Sequence, residues 1–365
     1  MAEETRKRSA ALLSRLPVEM SPELGAQPAP SSEGVTPASA AEEEPLEAVK
    51  AMMLKLAAGR SFERLGAIVQ EHLFTGGKRL RAKLALASLD ALDGPSEAAI
   101  PWAAACELLH NATLVHDDLQ DGDPVRRGRF AVWVRHGQAQ AINAGDLLLM
   151  LPFIALEHVP ANDSVRWQLS RAIARRAEQT VRGQSLEMCL LHSGRWDWES
   201  YAEAATGKTS ALMALPVHGA AVLAGQDPER AEALSNCFKR LGLLFQVQDD
   251  VVDLYGDKGR AEKGGDIREG AITALVVEHL RHHPHDKDWL VDILAKPRDE
   301  TTVADVEEVA DRFRQGGALD SVIDRIRSIQ AEITASPILL EEPRLQQVAL
   351  QLVAMSLKPI RHLLK

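Results

Sequence analysis

The segment His116–Gly128, HDDLQDGDPVRRG, sets three aspartates at i, i+1 and i+4 and follows them with two arginines. On a helix Asp117 and Asp121 share a face, where like charges repel by about a few tenths of a kcal/mol. A divalent cation reverses that repulsion, and Mg²⁺ takes one or two carboxylates together with substrate phosphates. Alone, such a cluster reads as the acidic end of a surface helix. The spacing recurs, however: FQVQDDVVDLYGD places Asp249, Asp250 and Asp253 in the same pattern. With aspartate at about one residue in twenty, DDxxD is expected on the order of 0.05 times in such a chain, so two copies argue for a purpose. The second copy lies in LGLLFQVQDDVVDLY, a context that buries a helix, and unpaired buried carboxylates are costly. Two acidic clusters on inward-facing helices imply metal ions held between them.

The cations nearby suggest what the metals hold. Arg126 and Arg127 follow the first cluster after a short GDP turn, and TGGKRLR upstream puts Lys78, Arg79 and Arg81 at a helix start. Free N–H groups and the helix dipole favour an anion at such an end. Any one of these groups by itself reads as a solvated face; together with two acidic clusters they outline one or two diphosphate pockets. ATGKTS, residues 205–210, imitates a phosphate loop, but that loop needs a glycine at position 202, where this chain has Ala, and a strand before it. His110 on an apolar helix reads alone as a core histidine, and Gln246 as a group filling a polar gap. Gly183, Gln184 and Glu187 read equally as packing or as support for a site.

The elements that must carry these residues are helical. The 365 residues are 45% hydrophobic but only 4% aromatic, with two Tyr, a poor supply of strand formers. Helical periods are expected near 46–58, 61–73, 77–92, 97–120, 137–158, 163–190, 197–205, 208–224, 228–255 and 271–282, with three or four more beyond breaks at KPRDE and ASP. The reading is an all-α chain, one helical-bundle domain over 46–365. Residues 1–45, rich in Pro, Ala, Ser and Glu, read as a disordered tail. A net charge of −10 argues against nucleic acid as a partner. Cys106, Cys189 and Cys237 are scattered and odd in number, which fits free thiols in a reducing compartment. With no apolar leader and no uncharged run of about 18 residues, a cytoplasmic protein without a transmembrane segment is expected.

The ordered motifs GGKRLR, LLHNATLVHDDLQD with RRG, AGDLLL, GQSLE, TGKTSALM, FQVQDDVVD and GDIREG, from about residue 46 onward, resemble the trans (E)-isoprenyl diphosphate synthases, the polyprenyl synthetase family. The resemblance implies an all-α bundle around a deep central cavity, a homodimer, and head-to-tail condensation of isopentenyl diphosphate with an allylic diphosphate. It implies that Asp117, Asp118, Asp121, Asp249, Asp250 and Asp253 hold three Mg²⁺ on the allylic diphosphate, with Arg126 on the same group. Lys78, Arg81, His110 and Arg127 correspond to the isopentenyl diphosphate site; Lys208, Thr209, Gln246 and Lys263 correspond to the allylic site. Metals and cations would neutralise the leaving diphosphate, the isopentenyl double bond would attack the allylic cation, and the departing diphosphate would take the proton. An apolar cavity would keep water from the cation.

The chain departs from the family at GDIREGAIT, where Ala271 stands in place of a lysine, although Lys258, Lys263 and Arg268 are near in sequence. The product is expected to be C20 or longer, because Ala112 and Thr113, five and four residues before Asp117, are both small. Further back, Leu109 and Trp102 come round; Trp102 precedes Asp117 by 15 residues, roughly 22 Å along a helix, and reads either as the cavity floor or as a core residue at the helix end. A terpene cyclase would have no use for Lys78, Arg81 and His110. A non-catalytic partner subunit is expected to lose an aspartate motif, and a helical scaffold with acidic patches would not show this motif order.

Overall fold

The structure is a computed structural model that describes residues 40–59, 64–256 and 263–364. The expected tail up to residue 39, and Lys258, lie outside the described residues. The helices are α1 (Ala40–Ala57), α2 (Arg64–Leu73), α3 (Leu80–Ala91), α4 (Ala99–Gln120), α5 (Val132–His136), α6 (Gln138–Ala155), α7 (Asp163–Ser193), α8 (Trp198–Ala205), α9 (Ala211–Leu223), α10 (Pro228–Tyr255), α11 (Gly265–Glu269), α12 (Ala274–His282), α13 (Lys287–Leu294), α14 (Val303–Gln315), α15 (Ala318–Thr334), α16 (Pro337–Leu340) and α17 (Pro343–Leu357). The fold is all-α, as the composition and periods imply. α1 begins at Ala40, ahead of the expected 46, and runs through Pro45.

Helix starts follow capping chemistry. Asn162 accepts from the Val165 N–H at the start of α7, and Asp197 from that of Ser200 at the start of α8. Asp227 takes the N–H groups of Glu229 and Arg230, with Pro228 beginning α10. Each side-chain oxygen satisfies donors that the first turn leaves without partners.

One continuous hydrophobic core runs from Val49 to Ile360. α4 lies at its centre, packed along α6 on one side and against α3 and α9 on others; α10 packs on α9 and α15. Trp102 is fully buried here: its Nε1 donates to the Pro216 carbonyl at 3.0 Å, and its ring fills the space that a Cβ on Gly219 would take. Gln138–His158, which includes α6, is long and apolar enough to cross a membrane, but it carries Asp146 and packs along α4.

Two details were not legible as period. The strands β1 (Val125–Arg126) and β2 (Arg129–Phe130) make a minimal antiparallel hairpin. Its two turn residues, Arg127 and Gly128, both have positive φ, at 53° and 74°, the form of turn that joins strands most tightly. Between α8 and α9, Thr206–Ser210 forms a turn of π-helix, a wide turn found often at functional positions.

Candidate active site

The C-terminal end of α4 carries the first acidic cluster. Asp118 is buried, and its Oδ1 accepts from Arg126 Nε at 2.5 Å. The short hairpin is what brings Arg126 back onto the helix that precedes it. Asp117 and Asp121 are half-buried and flank Lys208, which ion-pairs with Glu187 of α7. Burial pushes Asp117 up to about 7 against the pull of Lys208, and raises Asp118 and Asp121 as well. Burial works against the Lys208 ammonium, yet Glu187 and Asp117 outweigh it and hold its pKa above the ordinary value.

The π turn exists where α7 and the chain after α8 touch through glycines. A Cβ on Gly183 would lie 2.2 Å from the Lys208 nitrogen, and one on Gly207 would lie 2.7 Å from Gly183 Cα. Two glycines thus admit a backbone contact that swings Lys208 toward Asp117 and Asp121. The role of Glu187 as the partner of Lys208 was only half legible beforehand.

The second cluster lies on α10. Asp250 is buried and fully engaged: Oδ2 accepts from the Tyr201 hydroxyl at 2.7 Å and the Ala274 N–H at 2.8 Å, and Oδ1 from Gln246 Nε2 at 3.1 Å. Thr209 Oγ1 donates to Gln246 Oε1 at 2.8 Å. Gln246 and Thr209 therefore join Asp250 in one network, and Tyr201 is a member that no sequence motif announced. Asp253 Oδ2 accepts the Asp266 N–H at 3.1 Å, tying α11 to α10. Asp249 is half-buried on the same helix. Glu269, at the end of α11, is pushed up to about 7 by burial and by Asp123, Asp121 and Asp253, against the pull of Arg298, so the two acidic segments meet around it. Ala271 donates its N–H to the Asp266 carbonyl at 2.8 Å. Lys263 is exposed just before α11.

A basic group adjoins the first cluster. Arg127 donates to the Gly76 carbonyl, and its guanidinium occupies the place of a Cβ on Gly77; the glycine pair in TGGKRLR admits the arginine. Arg81 and His110 lie beside it, and burial followed by the Arg81 and Arg127 charges keeps His110 well below the usual imidazole range. Burial lowers both Arg81 and Arg127. His72 is likewise held at about 3 by burial and Arg127. Arg79, with a left-handed φ of 49°, donates to the Leu73 carbonyl at 2.5 Å and reaches Glu107 at 3.5 Å, while buried Glu107 accepts the Ala82 N–H at 3.1 Å. Glu107 thus pins the start of α3 to α4; His72 and Glu107 were both missed in sequence. Lys78 is exposed in the loop before α3.

Below Asp117 a cavity of about 340 Å³ runs between α4, α6 and α7, lined by Leu109, Thr113, Leu149, Val181, Gln184 and Met188 among others. Ala112 and Trp102 do not line it. Both are fully buried in the core, because Ala112 faces away from the cavity side that Leu109, Thr113 and Asp117 share at i, i+4 and i+8. His116 also lines the cavity, and its ring takes the space a Cβ on Gly145 would need.

The carboxylates fit hard divalent cations. Asp118 Oδ2 is buried with no protein partner. Among the described residues no set of three His, Cys, Asp or Glu groups is gathered tightly enough to hold an ion by itself.

Carboxylates and cations at the mouth of an apolar cavity define an all-α site suited to a diphosphate that carries a hydrocarbon tail. The polyprenyl synthetase family model matches residues 63–313, and the chain belongs to that family. It is 38% identical over 217 residues to a short chain isoprenyl diphosphate synthase of Methanocaldococcus jannaschii, covering 59% of this chain and 66% of the relative. It is 34% identical over 250 residues to a geranylgeranyl diphosphate synthase of Methanosarcina mazei, covering 68% and 75%. Among solved structures, a geranylgeranyl pyrophosphate synthetase from Pyrococcus horikoshii superposes with a TM-score of 0.74 at 28% identity, covering 86% of this chain and 97% of the other. A polyprenyl synthase from Caulobacter crescentus, complexed with calcium and isoprenyl diphosphate, has a TM-score of 0.74 at 27% identity, covering 86% and 95%.

Proposed function

We propose that this protein condenses isopentenyl diphosphate with an allylic diphosphate, head to tail, to give a linear (E)-polyprenyl diphosphate of C20 or longer. Family and fold make it a prenyltransferase that builds linear prenyl diphosphates. The observation that carries the finer reading is the cavity: it begins at Asp117, between the charged groups, and passes Thr113 and Leu109 with no Phe, Tyr or Trp among its lining residues.

Asp117 on α4, Asp121 capping its C-terminal end, and Asp249 and Asp253 on α10 are the groups that would hold Mg²⁺, three ions per site. Asp118 would add its buried oxygen. Asp250, counted with the ligands in the sequence, has its oxygens occupied by Tyr201, Ala274 and Gln246, and we assign it to holding α10 in register. Bound there, Mg²⁺ would neutralise the diphosphate as its C–O bond breaks. Arg126 and Lys208 add fixed positive charge to the same leaving group, with Thr209, Gln246 and Lys263 along its allylic side. Lys78, Arg81, His110 and Arg127 receive isopentenyl diphosphate; His110, kept neutral, offers a hydrogen bond rather than a charge. The apolar lining would keep water from the allylic cation once the exposed side chains Val181 and Met188 are covered in the dimer, and the departing diphosphate accepts the proton, so no side-chain base is required.

The exposed apolar side chains Ile142, Met150 and Ile154 of α6 and Trp167, Val181 and Met188 of α7 support a homodimer through this face. Among the described residues the cysteines are unpaired, which agrees with a cytoplasmic enzyme. We take the catalytic domain to begin with α1 at Ala40, six residues ahead of the boundary expected from composition.

Incubation with isopentenyl diphosphate, Mg²⁺ and dimethylallyl, geranyl or farnesyl diphosphate, read by mass spectrometry, tests the reading. A ladder ending at C20 or beyond is expected. Farnesyl diphosphate as sole end product overturns the length; hydrocarbon or alcohol from the allylic substrate alone, or no turnover with any primer, overturns the condensation.

A further inference from the structure

Arg298 lies between α13 and α14, on neither acidic segment. Its Nη1 donates to Asp123 Oδ1 at 2.8 Å, and its Nη2 is 3.4 Å from Glu269 Oε1. Asp123 stands two residues beyond Asp121, in the turn that ends α4. Glu269 ends α11, the helix whose Asp266 N–H binds Asp253. One side chain from a third segment therefore joins the two stretches of chain that hold the acidic motifs. Arg298 is 44% exposed, and its partners Asp123 and Glu269 are 29% and 30% exposed. Ion pairs this open contribute little to stability, so holding the fold together is a poor account of the arrangement. A planar guanidinium is suited to spanning two carboxylates at a set separation, whereas an ammonium is a point charge.

We propose that Arg298 is a positioning residue for the diphosphate and its cations: it bridges the turn after α4 to α11 and sets the separation of the two acidic motifs across the mouth. The inference rests on the proposed function for what the mouth binds, but the bridge acts on binding and can be measured without turnover.

The test is thermal unfolding of the full chain, titrated with Mg²⁺ at fixed inorganic diphosphate, alongside steady-state kinetics. Arg298→Ala is expected to raise the Mg²⁺ concentration for half-maximal stabilisation by roughly 10-fold, the scale on which outer partners tune metal sites. It should raise the allylic KM by a larger factor than it lowers kcat. Arg298→Lys should fall between Arg298→Ala and wild type. Asp123→Asn combined with Arg298→Ala should add little to Arg298→Ala alone, because both remove one bridge. A half-saturation and allylic KM within about twofold of wild type in Arg298→Ala overturn the proposal, as does a lowered Mg²⁺ requirement, which would make the arginine a competitor of the metal. Wild type that gains no stability from Mg²⁺ and diphosphate overturns it too. Wild type that gains stability but elongates no primer sinks the synthase reading alone, and the variant titrations then decide the bridge.

Discussion

Thr113 and Ala112 are neighbours of similar size, yet their surroundings set them to different work. Thr113 lines the cavity one turn below Asp117, while Ala112 is in the core. Thr113→Phe is therefore expected to block elongation and shorten the product by at least one isoprene unit, with the protein still folded. An unchanged product distribution by mass spectrometry would show that the tail takes another path. Ala112→Phe, by contrast, overfills a packed interior and is expected to cost about 1–3 kcal/mol of stability. A second consequence at this scale concerns pH. His72 is held at about 3 by burial and Arg127, against roughly 6.5 when unfolded. A depressed histidine favours the folded state above the unfolded pKa, and that advantage is lost as pH falls through the window from about 6.5 toward 3. Replacing His72 with Asn, which does not titrate, should make the fall in Tm between pH 7 and pH 5 shallower than in wild type; an equal fall would mean that other groups govern acid sensitivity.

Elements succeed here by close approach as much as by amphipathic burial. α7 and the π turn meet at Gly183 and Gly207, where a single methyl would collide with backbone at 2.2 to 2.7 Å. Gly183→Ala should cost about 1–3 kcal/mol, the usual penalty of overpacking, and should lower kcat by displacing Lys208 from Asp117 and Asp121. Circular dichroism melting and initial rates read both effects; full stability and full activity in this variant would mean that the turn relaxes freely. The hairpin works in the same manner, since Arg127 in the left-handed region carries its guanidinium into the space left by Gly77.

For the whole molecule, the exposed stripes on α6 and α7 matter because Val181 and Met188 belong both to the open face and to the cavity lining. Met150→Glu with Trp167→Glu should place charge on that face and yield a monomer by sedimentation. A dimer that survives both substitutions would locate the contact elsewhere.

The helices, their order and both acidic clusters were legible in the sequence, because a helix records its buried face as a period of 3.6 and DDxxD needs only one turn to align its carboxylates. The helix spans 97–120 and 228–255 come within two residues of those observed. Local rules could not reveal what depends on contact between distant segments: Tyr201 on Asp250, Glu187 on Lys208, His72 beside Arg127, and Arg298 across the mouth. They also could not say which side of α4 faces the cavity, so Ala112 was read along its wall when it is core, and Trp102 stood open between cavity floor and core until packing placed it in the core. A residue's type and spacing determined which chemistry this chain can perform; only packing decided which of two adjacent small residues lines the cavity, since that choice is made by neighbours far away in sequence.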